Sequence, residues 1–371
     1  MQQHFNLKLS LPTELEVRYC ASDNFVFATG GSQSSYDQYY KMLANDTHHV
    51  EVSEGSPRSL ISKRQQGYLL SALEGFFRVP RKVFDFGCGQ ASLLVELASE
   101  FPASTFVGYD PGPAARVASQ NATKFNLANL SIVTMEEAAT LGPFDLLIAS
   151  HVVEHLVEFD LLQSLRALLA DDGFLYVEVP NALKYADQTR REFLYYFDRL
   201  HVNHFSPQSL GLLAARYGFS CVKHFDYAFP YRDGGDYPAL GALFRKKARS
   251  IDISSPSLLG VITRYIAEER LRAHSIAEQF KAYDGVLVWG AGDNFFRSIE
   301  SEGPLGDLHN FIVLDRRQQE IWIRNRKYTT RNPEDCILRY PWPVVITVSD
   351  GRRALGELVE QIDPGRNVFF I

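Results

Sequence analysis

Short apolar runs, each closed by a turn or an acid, recur along the chain at 83–86, 105–109, 130–133, 144–149 and 173–179. Between them, apolar residues return at helical spacing, as in ASLLVELASEF after the first run. Runs of this length separated by amphipathic stretches predict strands of a largely parallel sheet with helices on both faces. Two more strands are expected at 219–226 and 239–245. A well-marked helix precedes them, with Ser206 as N-cap, Pro207 at the first helical position and Gly218 just past its end. The expected fold is therefore α/β, built on seven strands.

The pattern restarts near the C-terminus. A long amphipathic segment, SPSLLGVITRYIAEERLRAHSIAEQF, leads to VLVWGAGDNFF at 286–296, then FIVLD ending at Asp315, VVITVS, a helix and NVFFI. This predicts a smaller C-terminal Rossmann-like α/β unit. Four regions are expected: an irregular Ser-, Gly- and Tyr-rich accessory arm over 1–70, an α/β core over 71–250, a helical linker over 251–284 and the second unit over 285–371.

VFDFGCGQASLL at 83–94 carries the strongest chemical signal. Asp85 leads into a turn with glycines at Gly87 and Gly89, where a bound ligand can approach the main chain and the following helix start offers free N–H groups. The next strand ends at Asp110, where doubly wound sheets place a carboxylate against ribose hydroxyls. An adenosine-type ligand is implied. Ser92 stands where a dinucleotide fingerprint has its third glycine, and GAGDNF lacks that glycine too, so a nicotinamide cofactor is poorly supported in either unit.

The VFDFGCG string, with an acid two places before the first glycine, resembles the first motif of class I S-adenosylmethionine (SAM)-dependent methyltransferases. FDLLIASHVVEHL at 144–156 resembles their fourth strand and its turn, including the Glu154–His155 pair of one large subgroup. GFLYVEVPN at 173–181 resembles the fifth strand, and HVNHFSPQSLGLLAARYGF at 201–219 that subgroup's H-x-x-H-F-S segment. This resemblance implies a seven-stranded Rossmann-like methyltransferase sheet. It also implies SAM as cofactor, held by Asp85, Gly87, Gly89, Asp110, Glu136 and His151.

The order of core, long helix and terminal unit is similar to the sugar C-methyltransferases that act on nucleotide-activated deoxysugars. That likeness implies a nucleotide-linked sugar or glycan precursor as acceptor. His201 falls where the family has the base that enolises a keto-sugar, with His204 and His155 as further candidates. The glutamate expected before that base is Leu200 here, which leaves carbon, oxygen or nitrogen as the acceptor atom open. Tyr36, Tyr39, Tyr40, Glu154, Gly290, Gly292 and Asp315 are the candidate acceptor contacts. Each has a plain structural alternative: a buried strand acid for Asp85, a helix face for the tyrosines, packing at a helix start for the histidines, a supporting fold for the second glycine turn.

Composition narrows the setting. Hydrophobic residues make up 46% of the 371, enough for two or three buried cores. The formal charge is −6 and the longest basic cluster is RKK at 245–247, so nothing compensates a phosphate backbone and nucleic acid is not an expected partner. No apolar run reaches membrane-spanning length and the N-terminal segment does not read as a secretory signal, so no membrane insertion and a cytoplasmic location are expected. The family's N-terminal zinc module has lost its paired cysteines: only Cys20 stands in that region, and no metal is expected. A homodimer, and a non-catalytic nucleotide-binding scaffold in a biosynthetic complex, remain open alternatives.

Overall fold

The protein is described by a computed structural model for residues 16–43, 57–76, 80–187, 192–231, 235–246, 251–316, 318–323, 326–348 and 351–371. Residues 52–56 of the polar stretch in the expected arm lie outside them.

A hairpin of β1 (Glu16–Cys20) and β2 (Phe25–Thr29) opens the described chain. The main sheet then collects β3 (Lys82–Phe86), β4 (Thr105–Tyr109), β5 (Leu130–Ile132), β6 (Phe144–Ser150) and β7 (Leu169–Pro180), all parallel. After the short β8 (Asn203–His204) come β9 (Phe219–Tyr231) and β10 (Gly235–Lys246), and β10 runs antiparallel between β7 and β9. The sheet order is β5-β4-β3-β6-β7-β10-β9, the seven strands expected. Its two faces are covered by separate cores, one around Phe84, Phe144, Leu147 and Leu175, the other around Val83, Phe106, Leu146 and Ile148. Alternate residues of β3 and β6 serve opposite faces, which is why neighbours such as Val83 and Phe84, or Leu146, Leu147 and Ile148, are all apolar.

Three features depart from the expected layout. Helix Pro57–Leu73 runs through the expected boundary at 70, and its Leu69, Ala72 and Leu73 are buried in a sheet core. Strands β9 and β10 continue beyond the sheet because Tyr227, Phe229 and Tyr237 find an aromatic cluster there with Tyr185 and Tyr265. The arm is also tied in: β2 pairs with β8 through Val26 and His204, making a three-stranded sheet.

The long helix, Leu258–Phe280, starts in that aromatic cluster and ends with Phe280 in the core of the second unit. There β11 (Val286–Trp289), β12 (Phe311–Leu314), β15 (Val344–Ile346) and β16 (Val368–Phe370) form a parallel sheet in the order β12-β11-β15-β16, with β13 (Glu320–Ile323) and β14 (Arg326–Thr329) as a separate hairpin. Among the described residues no helix is long and apolar enough to cross a membrane.

Candidate active site

At the end of β3 the chain makes the tight turn expected of it. Gly87 and Gly89 both hold positive φ, 75° and 56°, which a side chain would strain. The Gly87 amide donates to Tyr109 O at 2.7 Å, the Gly89 amide to Asp110 Oδ2 at 3.0 Å and the Gly112 amide to Asp110 Oδ1 at 2.8 Å. Burial raises the Asp110 carboxyl, and the two amides pull it part of the way back. The two glycines serve different ends. A Cβ on Gly87 would lie 2.5 Å from Val152 Cγ2, so that position answers to packing within the protein. A Cβ on Gly89 would meet nothing within 4 Å, so the open side of the cradle is there. Asp85 is buried, and burial together with Asp110 and Glu178 pushes its carboxyl well above the usual range. Three acids gathered at one sheet edge suit a ligand that brings positive charge, as the ammonium and sulfonium of SAM do. Glu136 is exposed at the start of helix Met135–Leu141, on the rim of this edge after β5.

Beside the cradle, β6 ends at Ser150 and the chain turns at His151, whose φ of 54° is rare for a residue with a side chain. Its amide donates to Glu178 O at 2.8 Å, and its ring is gripped on both sides. Nδ1 lies 2.9 Å from Glu154 Oε1, and Nε2 lies 3.1 Å from Glu178 Oε1, near enough for charge pairing but poorly aligned for a hydrogen bond. Burial alone would depress the His151 pKa; bonds and charges from the two glutamates outweigh it and set it at about 10, so the ring is an imidazolium at neutral pH. Glu178 is fixed in turn by Gln65 Nε2 at 2.8 Å and the Tyr176 hydroxyl at 2.9 Å.

The turn Val153–His155 then carries Glu154, fully buried, and His155. His155 Nδ1 lies 2.9 Å from Leu200 O, which makes Nδ1 the protonated nitrogen and leaves Nε2, 4.0 Å from Glu154 Oε1, with its lone pair. Burial lowers the His155 pKa below its ordinary value. His201 lies against it, ring centroids 4.9 Å apart, and the Tyr40 ring meets His155 edge-on at 5.7 Å. Three buried polar atoms in this small space have no hydrogen-bond partner: Tyr40 Oη, Glu154 Oε2 and His201 Nδ1. Leaving such atoms unsatisfied costs about 1–3 kcal/mol each, which an incoming hydroxyl or carbonyl would offset. Glu154, His155 and His201 also offer ligand atoms within 4.8 Å of one another, a grouping that could hold a metal ion and that an expectation based on cysteines did not consider.

The structure thus brings together Asp85, Gly87, Gly89, Asp110, His151, Glu154, His155, His201 and Tyr40. It places others elsewhere. His204 is 1% exposed among Tyr185, Phe197 and β2, and burial, then His201, lowers its pKa to about 3, so the enclosed ring is neutral and a weaker base than a free imidazole. Tyr36 and Tyr39 are buried with Val202, and the Tyr36 hydroxyl donates to Arg199 O at 2.8 Å, whereas the Tyr40 hydroxyl is buried without a hydrogen-bond partner on a ring that meets His155. Gly290, Gly292 and Asp315 sit in the second unit, where Asp315 Oδ2 accepts the Ala291 amide at 3.1 Å. Sequence reasoning missed Glu178 and Asp198. Glu178 was visible as the one acid within the apolar run FLYVEV; Asp198, whose Oδ1 accepts the Leu200 and His201 amides at 2.8 Å each, stands three residues before His201 with no comparable signal.

Residues 61–224 match the family model described as a methyltransferase domain. Malonyl-[acyl-carrier protein] O-methyltransferase from Geobacter sulfurreducens is 26% identical over 263 residues, covering 66% of this chain and 95% of that protein. Among solved structures, a SAM-dependent methyltransferase from Methanosarcina mazei aligns with a TM-score of 0.38 and 16% identity, over 46% of this chain and 94% of that one. Coclaurine N-methyltransferase bound to N-methylheliamine and S-adenosylhomocysteine aligns with a TM-score of 0.39 and 14% identity, over 50% of this chain and 70% of that one.

Proposed function

Because the chain carries a methyltransferase domain of the SAM-dependent class, with SAM as its methyl donor, we propose that it methylates a neutral hydroxyl or keto acceptor on a nucleotide-linked sugar or glycan precursor, with His201 as general base. One observation carries the reading: Tyr40 Oη, Glu154 Oε2 and His201 Nδ1 are buried, unpartnered and gathered around His155, beside the cradle of Gly89 and Asp110. They form an uncommitted set of a donor and acceptors that a polar, uncharged acceptor would satisfy.

Asp110, the open side of Gly89 and the acid-rich edge at Asp85 would hold SAM, which supplies a methyl group already activated on sulfur. The protein's task is then alignment and proton removal. The imidazolium of His151 bridges Glu154 to Glu178 and fixes the turn that presents His155. Tyr40, whose hydroxyl burial keeps protonated far above its usual range, donates to the acceptor oxygen. His201, beside neutral His155, takes the proton from a hydroxyl, or from the carbon next to a ketone.

The Geobacter sulfurreducens relative suggests a second reading, methyl transfer to a carboxylate. Buried Glu154 and half-buried Asp198 next to the histidines would repel a carboxylate acceptor, so the neutral acceptor is favoured. Incubation with SAM and panels of keto- and hydroxy-sugar nucleotides and of malonyl thioesters, followed by mass, decides between them. A gain of one methyl on a sugar nucleotide is the expected result; methylation of the malonyl thioester alone would overturn it. Solvent deuterium entering the sugar carbon without SAM turnover would mark carbon as the acceptor atom.

A further inference from the structure

The turn after β6 and the segment before β8 bring three side chains of metal-binding type to one place. Glu154, His155 and His201 each offer a ligand atom, and these atoms lie within 4.8 Å of one another. Glu154 is fully buried; its Oε1 is held by His151 Nδ1 at 2.9 Å, while its Oε2 has no hydrogen-bond partner. The carboxylate is therefore fixed with one oxygen to spare. His155 Nδ1 donates to Leu200 O at 2.9 Å, which sets the tautomer and leaves Nε2, 4.0 Å from Glu154 Oε1, with its lone pair. A ring N–H tied to a backbone carbonyl is the support that metal-ligating histidines ordinarily have. His201 Nδ1 is buried without a hydrogen-bond partner, and its backbone amide donates to Asp198 Oδ1 at 2.8 Å. That oxygen stands 3.8 Å from the ring nitrogen and adds a second negative charge beside the two imidazoles.

We propose that Glu154, His155 and His201 form a binding site for one divalent transition-metal cation, Zn²⁺ before others. Two imidazoles and a carboxylate are the donor set of zinc and its first-row neighbours, whereas Mg²⁺ and Ca²⁺ take shells of oxygen. Three protein ligands also leave a coordination position open, as in zinc sites that take a water or a substrate atom. The ligands come from two segments that are each anchored from outside the set, Glu154 by His151 and His201 by Asp198, so the donors are held in place before a cation arrives.

The site shares Glu154 and His201 with the acceptor set described above, yet it can be tested without an acceptor. The full-length chain, stripped with a chelator, is titrated with Co²⁺, whose visible absorption reports nitrogen and oxygen ligation. One equivalent should bind with a visible band, and Zn²⁺ should displace it. His155→Gln and His201→Ala should each abolish this uptake; both rings are partly exposed, so neither change empties a core. His151→Asn, which loosens the grip on Glu154 without removing a ligand, should weaken binding by about 10- to 100-fold. His274→Ala, at an exposed histidine of the long helix, should change nothing. Uptake that survives both His155→Gln and His201→Ala would overturn the proposal. So would a thiolate-to-cobalt charge-transfer band, which would place the ion on a cysteine. If one of the two variants does not fold, the other decides.

The reading of His201 as base is tested separately. A bound cation takes a lone pair that proton removal needs, so saturating Zn²⁺ should slow methyl transfer by about 10² or more, and a chelator should restore it. Transfer that requires the cation, or that ignores it while the Co²⁺ band shows the site filled, would leave the site standing and overturn the base assignment.

Discussion

The two glycine turns are built alike and surrounded differently. In the first, the Gly87 amide bonds Tyr109 O at 2.7 Å, and Asp110 accepts the Gly89 and Gly112 amides. In the second, the Gly290 amide bonds Leu314 O at 2.9 Å, and Asp315 accepts the Ala291 and Gln318 amides at 3.1 and 2.8 Å. The backbone pattern is the same strand-turn-carboxylate unit twice over. Around the first lie His151, Glu154, His155, His201 and Tyr40. The second has none of these: Gln318 Nε2 reaches across to Ala291 O at 3.2 Å, and Arg316 lies over the Trp289 ring at 5.7 Å. The helix after the first turn runs nine residues, that after the second only six, so the second offers less of a helix start to an anion. A glycine turn therefore marks a fold element; the groups brought in from other segments decide whether chemistry happens there.

The sharpest break in the comparison lies at the histidines. His201→Ala should lower kcat by about 10² or more while SAM binding persists, the pattern of a group needed in the transition state. His204→Ala should leave kcat near normal, because that ring is enclosed and neutral. Equal losses in both variants, measured by steady-state kinetics on the acceptor that the mass screen identifies, would show that the segment matters only for folding.

Calorimetry with SAM separates the two carboxylates next. Asp110→Ala should weaken SAM binding by about tenfold or more, the worth of one charge-assisted hydrogen bond together with a loosened turn. Asp315→Ala should leave SAM affinity unchanged and raise acceptor KM several-fold if the terminal unit helps hold the acceptor. Gly87→Val is a poor probe of the ligand, since its Cβ would strike Val152 and its φ is positive; the variant should be destabilised whether or not SAM binds nearby. Loss of SAM binding in Asp315→Ala would exchange the roles of the two turns.

Much of this was legible from local pattern. All seven strands of the main sheet were legible, the five parallel ones as short apolar runs because parallel strands buried on both faces need no alternation and end at marked turns. The cradle was visible as Asp85, Gly87, Gly89 and Asp110 because its geometry is made within one strand-turn-helix-strand unit. The pairing of His155 with His201 and Tyr40 was less so, since it joins three segments far apart in sequence. Hence His204 stood as a fallback to His201, although its ring packs into the aromatic residues around Phe197 and Tyr185 while that of His201 lies against His155. The pairing of Arg297 and Arg352 with Glu192 had no sequence signal at all, because it depends on how the terminal unit docks.

The smallest expected effect separates the two regions by charge. The first turn has a half-buried imidazolium beside it. The His151 pKa is raised from about 6.5 in the unfolded chain to about 10 in the fold. A group with a raised folded pKa contributes stability that is fully present below its unfolded value and is lost as pH rises through the folded one. Unfolding free energy should therefore fall between about pH 6.5 and pH 10, measured by urea denaturation. Tyrosines and Cys88, which burial also raises, add to the fall at the alkaline end, so the comparison to make is with His151→Asn. That variant should be less stable at pH 6.5 and converge on the wild type as the pH nears 10. Parallel curves would mean that His151 is not charged between Glu154 and Glu178, and the anchor proposed for the catalytic turn would have to be sought in the Gln65 and Tyr176 bonds to Glu178 instead.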